Sequence, residues 1–554
     1  MGHGDAESML QHFKTCIEDL NHRNILQVSM DGPNVNKKFH RLFQESITTQ
    51  FNHILLDVGT CGLHTVHNAF KDGMDAAGWP VQKLLSGLYY LFKESPARRE
   101  DYTTASGSSQ FPLKFCNHRW LENILVAERA LEVLPNVEKY IESVQHKKCT
   151  EPKCSSYEVV TSALKDPQIV PKLLCFISIA KILKPFLTNY QTDRPMVPFV
   201  AMDLYRLCRN AMSRFITDSA MAEITSIVKL VNFDFEDKSR YKQHRKIDLG
   251  FKAENKLVGS DRQRMDIKME CMRCLKKIVL KIIDKSPLKY PIARHLSCLD
   301  PRKMAESKEM CVREMRKLLK ILTDAGRVAS SKCDNILSQL GEFIDTVVTS
   351  NKSVFADFQP ANSTQRLDEL MSQYLSTDNF RDLWQLVKLL LVLSHGQATV
   401  ERGFSVNREV VTDNQKQQNV IAQRIVCNHV ERVGGIFKVE LSHGLLASCA
   451  SARQKYHEYL EKERRQKEQE TKNLKRKGEL QEIEELKRKR QALETDINSL
   501  TKAADEFANK AETTRNISCI TKSNALRRTA KEKTEELKEV KKDLNDKLET
   551  LSKF

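Results

Sequence analysis

The sequence predicts a mainly α protein with a small α/β part near its start and a coiled coil at its end. Three observations carry that expectation. Breakers are scarce, with 19 Gly and 15 Pro among 554 residues. Apolar residues recur at helical spacing over most of the length. After Ser451 the chain turns into a proline-free, densely charged stretch, with 27 Lys/Arg and 21 Asp/Glu over 451–554, a net +6, as a long solvated helix requires.

Residues 24–30 form an apolar run that stops at Asp31-Gly32-Pro33-Asn34, the pattern of a short buried strand ending at a turn. Residues 51–59 repeat it. Between them Phe39, Leu42, Phe43 and Ile47 have helical spacing, so the opening reads strand, helix, strand, a piece of an α/β layer. From 119 to 352 the reading is almost all helical, with helix ends expected at Pro152, Pro167, Pro185, Pro195, Pro287, Pro291 and Pro301. Residues 353–377 read as a polar connection with one short helix, and 378–446 as apolar and helical again. In the charged tail Ile483, Leu486, Leu493, Ile497, Leu500 and Phe507 follow a 3,4 spacing, with Arg490 and Ala504 at the remaining heptad positions, which predicts a coiled coil. A weaker seam runs through Leu537, Val540, Leu544 and Leu551. With a hinge within 516–524, the two helices either fold back on each other or pair between chains.

Charge and cysteine content narrow the class of function. Lys and Arg number 89 against 72 Asp and Glu, net +17, which favours anionic partners. Fifteen Cys are scattered along a chain with no basic-then-apolar leader, so reduced thiols and an intracellular setting are expected. No run approaches the ~18 apolar residues of a membrane span, and no membrane association is expected. The phosphate-loop, dinucleotide, zinc-protease and serine-hydrolase motifs are all missing, and no small-molecule substrate is expected.

Several local patterns admit a chemical reading beside a structural one. Asp31, at the end of an apparent strand, could ligate a divalent metal or serve as a turn residue. Cys61-Gly62-Leu63-His64 is at most half of a zinc site. Cys271-Met272-Arg273-Cys274 lies inside an amphipathic helical stretch and reads as a core-facing pair. Val400, Phe404 and Val406 predict partial burial around Glu401, whose carboxylate then needs a cation or a hydrogen bond. Lys475-Arg476-Lys477 and Lys487-Arg488-Lys489-Arg490 have the form of nuclear-import or phosphate-binding clusters or of a solvated helix face; the nucleus is favoured over the cytoplasm.

Taken in order, Ser29-Met30-Asp31-Gly32-Pro33-Asn34-Val35-Asn36, Cys61-Gly62-Leu63-His64, Arg119-Trp120-Leu121-Glu122-Asn123, Leu299-Asp300-Pro301-Arg302-Lys303 and Glu401-Arg402-Gly403-Phe404-Ser405 resemble the core of hAT-superfamily transposases. The resemblance covers about 24–430. It implies an RNase H-like fold in which two Asp and one Glu hold two divalent metals for attack on phosphodiesters. By resemblance Asp31 is the second Asp, Glu401 the catalytic Glu, Cys61 and His64 line the site, and Trp120 is the aromatic residue near flanking DNA bases. The family's first Asp and first strands have no counterpart before residue 24, where Asp5, Glu7, Glu18 and Asp19 lie in a helix-like segment. The expectation is therefore an incomplete RNase H-like core (1–118) interrupted by a large all-α insertion (119–352), a dimerisation-like segment bearing Glu401 (353–446), and the coiled-coil tail (451–554). Such a derivative is expected to be catalytically incompetent and to act by self-association, with possible DNA contact. No cofactor is expected, and Mg²⁺ or Mn²⁺ only if the site is complete. The alternatives are an active transposase or nuclease whose first Asp comes from elsewhere, and a coiled-coil scaffold.

Overall fold

A computed structural model of the chain describes residues 4–30, 32–361, 364–514 and 517–552. It divides into two units, Met1–Gln415 and Lys416–Phe554. The mainly α expectation holds: helices account for nearly all regular structure in the described residues.

In the first unit the Ala6–Cys16 helix lies on the Asn34–Phe51 helix. Phe13 meets Phe39 and Phe43 edge-on at 5.3 and 5.2 Å, and Phe43, Ile47 and Leu55 are buried in a small core. The main core runs without a break from Leu56 to Leu393, so the three expected segments of this unit share one interior. At its centre the Gly62–Ala77 helix packs along the Asp261–Lys285 helix. A Cβ on Gly73 would stand 2.5 Å from Ile278 Cγ1 and 2.9 Å from the Cys274 carbonyl; the missing side chain lets the two backbones approach.

The expected strands differ from the observation. Residues 25–30, past a short turn at His22–Asn24, and residues 53–60 run outside any helix, yet no strand forms among the described residues. One backbone hydrogen bond joins them, Leu56 N–H to the Leu26 carbonyl at 2.7 Å. Other groups take the place of a ladder. Arg327 donates through Nε to the Ile54 carbonyl, through Nη1 to that of Arg23 and through Nη2 to that of Ile25, at 2.9, 3.1 and 2.9 Å. Gln27 donates to the Ser394 carbonyl and accepts from its N–H. Side chains thus satisfy polar groups that neighbouring strands would otherwise have paired.

Helix ends also depart from expectation at one proline. Pro287, Pro291 and Pro301 open short helices, where a missing N–H has no cost. Pro185, expected at an end, lies inside the Ile169–Tyr190 helix, as Pro135 does inside Ile124–Gln145; burial of Phe176, Leu183, Phe186 and Leu187 on that helix holds it together across the lost bond.

The second unit holds the Gln417–Arg432 helix and two long helices, His443–Thr514 and Ile517–Ser552. The long helices pack antiparallel within the chain. Partners advance along one as they recede along the other: Ser523 with the Ala504 carbonyl, Lys533 with Asp496, Lys541 with Glu494, Lys547 with Glu479 and Glu482. Ile483, Leu493, Ala504, Val540 and Leu544 are buried on the expected seams. The second helix starts at Ile517, so most of the expected hinge is helical, and residues 515–516 lie outside the described residues. Among the described residues no helix is long and apolar enough to cross a membrane.

Candidate functional site

The Gly62–Ala77 helix begins where segment 53–60 ends, and its first turn carries the site. Gly59 makes the entry possible. Its φ is +92°, and a Cβ there would stand 2.8 Å from the Tyr290 ring. Asp57 accepts the Gly59 N–H at 2.8 Å, a local turn bond. Cys61 is buried at the head of the helix and caps it with no side-chain hydrogen bond, leaving the positive end of the helix open.

Three distant segments meet beside this turn. His64 Nε2 is 3.7 Å from Glu401 Oε1, and Arg119 Nη2 donates to Glu401 Oε2 at 2.7 Å. Glu401 stands on the Ala398–Val410 helix with its side chain 27 % exposed, and Arg119 supplies the cation its half-buried carboxylate requires. Of the expected apolar cover, Val400 and Phe404 are exposed and Val406 is half-buried. Gly396, just before that helix, lies so close to Cys61 that a Cβ would be 3.2 Å from its Sγ.

Next to Arg119, Trp120 is buried rather than displayed. Its ring meets Phe70 and Phe115 edge-on at 6.5 and 5.3 Å, with 3 % of the residue exposed. Lys71 Nζ stands 5.9 Å from the centre of the same ring, so Trp120, expected near flanking DNA bases, is packed in the core of this structure. His67, one helical turn after His64, accepts the Leu121 N–H through Nδ1 at 3.4 Å. Burial, together with the nearby His64 and Arg119, pulls its imidazole down to about 4, so it is neutral at ordinary pH.

A cavity of about 410 Å³ opens at the same helix start, lined by Thr60, Cys61 and His64 and rimmed by Lys37, Lys281 and Lys285. Lys281 is paired with Asp72 at 2.8 Å. Among the described residues the one carboxylate in its lining, Asp284, is held at about 2 by Lys285 and Lys289. Lysines and an open helix N-terminus make this cavity a place for anions. Asp31, the expected metal ligand, lies outside the described residues. Among the described residues no group of three His, Cys, Asp or Glu side chains is placed to hold a metal ion. A guanidinium on Glu401 and a lysine rim are the wrong surroundings for a dication, which is normally held by several free carboxylate oxygens.

Elsewhere, Cys271 and Cys274 are fully buried, with Cys271 Sγ 3.5 Å from Cys175 Sγ. Burial raises the Cys175 and Cys274 thiols, which fits the core-facing reading of that pair. Asp300, within the fourth motif, is buried, caps its own helix through the Arg302 N–H and pairs with the Arg302 side chain at 2.8 Å. It packs the structure and does not reach the cavity lining. Arg119 stands in a quoted motif, but its pairing with Glu401, 282 residues away, shows only in the fold, and the lysines of the rim left no mark in local sequence.

The chain matches no protein-family model, and no curated protein matches it.

Proposed function

We propose that the chain derives from a hAT-superfamily transposase, no longer catalyses strand transfer, and acts by association with itself and with DNA. The observation that carries this reading is the meeting of His64, Arg119 and Glu401, drawn from three of the motif segments in the family's order. On this reading segments 25–30 and 53–60 and the Asn34–Phe51 helix are the reduced α/β part of an RNase H-like core, and the antiparallel helical pair is a coiled coil. Loss of catalysis is supported by Arg119, which occupies the carboxylate that would otherwise face a metal.

DNA contact is supported by the lysine-rimmed cavity, which offers a phosphate both cations and helix N–H groups. Self-association is supported by apolar side chains left exposed: Val400 and Phe404 in the first unit, and Ile421, Ile425 and Val426 in the second, the kind of side chain that an interface covers. Lys475, Arg476 and Lys477 are exposed on their helix and support nuclear import.

The test is a cleavage assay with Mg²⁺ or Mn²⁺ on DNA carrying transposon ends. The expected result is no cutting above that of Glu401→Gln. Sustained cutting that vanishes in Asp31→Asn and Glu401→Gln overturns the loss of catalysis and restores the enzyme.

A further inference from the structure

A second cavity lies away from the one described above, between the 235–244 segment and the Asp261–Lys285 helix. It encloses about 650 Å³. Its floor is apolar, made by Phe235, Tyr241 and Met272, and its rim carries Lys238 and Lys242, with His244 beside them, on one side and Lys276 on the other. Among the described residues the only acid in its lining is Glu236, drawn off by Lys276 at 3.2 Å, and Lys242 donates to the Ser213 carbonyl at 2.6 Å and stands 4.0 Å from Asp218. Lys238 and His244 are exposed and have no acidic partner within ion-pairing distance.

The rim is held in place by the fold. Tyr241 forms an isolated antiparallel bridge with Ile216, and Lys242 N–H donates to the Phe215 carbonyl at 2.8 Å. The Tyr241 hydroxyl donates to the Phe235 carbonyl at 2.6 Å, and Lys276 donates to the same carbonyl at 2.9 Å. A groove braced in this way exists before any ligand arrives, which reduces the ordering cost of binding.

We propose that this groove docks an acidic peptide segment carrying a bulky apolar side chain, with the apolar group on Phe235, Tyr241 and Met272 and the flanking carboxylates accepting from Lys238 and His244. Charge complementarity selects an anion, and the apolar floor selects one with a hydrophobic anchor. Single-stranded nucleic acid fits less well, because it needs aromatic faces on which bases can stack. Here the half-buried Tyr241 ring has Lys276 over it at 5.7 Å and Phe215 against it at 5.9 Å, so it offers no free face for a base. The inference stands apart from transposase ancestry and from the DNA-facing cavity.

The experiment is fluorescence anisotropy on the full chain with a fluorescein-labelled peptide, Glu-Glu-Phe-Leu-Glu-Glu, beside the same peptide with Ser-Ser at its centre and a labelled oligothymidylate. The first peptide is expected to bind with a Kd of about 10–100 µM. Lys238→Glu with His244→Glu, two exposed positions whose change leaves the core intact, weakens it about tenfold or more, and the serine peptide binds at least about tenfold less tightly. A conservative floor variant, Met272→Leu, retains binding. Absence of binding at 200 µM peptide, equal binding of the serine peptide, indifference to the double variant, or tighter binding of oligothymidylate that displaces the peptide would each overturn the proposal.

Discussion

Arg327 is the side chain on which the opening of the chain depends most. Its guanidinium serves three carbonyls on two segments that share only one backbone bond. Burial lowers its pKa, yet an arginine stays charged in any ordinary buffer. Arg327→Ala leaves those carbonyls without their charged donor, and a loss of about 2–4 kcal/mol is expected in urea denaturation. Arg327→Lys should recover only part of it, because one ammonium cannot reproduce the planar fork. An equally stable lysine variant would show that charge alone suffices. A second residue sets a pH limit. His67 titrates at about 4 in the folded chain and at about 6.5 when unfolded, so between these values the unfolded state binds the extra proton. Its contribution is complete above about pH 6.5 and is lost as pH falls toward 4, by about 3 kcal/mol in all. Denaturation midpoints at pH 7, 6, 5 and 4.5 should fall less steeply for His67→Gln than for the natural chain; parallel curves would remove His67 from the account. Motif residues such as Cys61, His64 and Glu401 could be picked out from sequence. Arg327 could not, because a lone arginine between Gly326 and Val328 carries no sign of carbonyls some 300 residues away.

At the scale of elements, periodicity was the reliable guide wherever a helix has its own face to bury. Phe39, Phe43 and Ile47 point inward as their spacing implies, and the 3,4 pattern from Ile483 to Phe507 lies on the buried seam of the helical hairpin. It could not foresee that two strand-like runs would lack a ladder, since an apolar run specifies burial and not a hydrogen-bonding partner. Nor could it foresee Pro185 inside a helix, where tertiary burial outweighs a local breaker. Gly73 illustrates the same priority. Replacing an interior helical glycine by alanine ordinarily gains about 1 kcal/mol, but here the added methyl meets Ile278 at 2.5 Å and backbone at 2.9 Å. Gly73→Ala should therefore lose about 1–3 kcal/mol, and a gain in thermal midpoint would disprove the close crossing of the two helices. In the hairpin, Leu544 is buried on the seam facing the longer helix. Leu544→Ala is expected to cost about 2–4 kcal/mol and to open that unit to limited proteolysis while the melting of residues 1–415 stays unchanged.

For the whole molecule the question is how a net charge of +17 and an uncovered apolar surface work together. Each has its own variant. Ile421→Glu with Ile425→Glu places charges on the exposed face of the Gln417–Arg432 helix; light scattering should report a smaller oligomer than that of the natural chain, with unchanged helical content. A natural chain that is monomeric at 50 µM would end the self-association reading. The charge is tested by salt. Binding that rests on phosphate contacts weakens with a slope of about −0.9 in log K against log salt for each phosphate neutralised on duplex DNA. Lys37 and Lys285 stand on the rim of the anion cavity, so Lys37→Glu with Lys285→Glu should reduce the slope by about 2, measured between 50 and 200 mM salt. The hairpin carries its own excess, 27 basic against 21 acidic residues, spread over a helix surface with exposed Lys475, Arg476 and Lys477. Changing those three to Gln should shift overall affinity if the hairpin touches DNA, and leave it alone if the cavity is the site. An unchanged slope in the cavity variant, together with a lowered one in the hairpin variant, would move the proposed DNA contact from the first unit to the tail, and the cavity would lose its assignment.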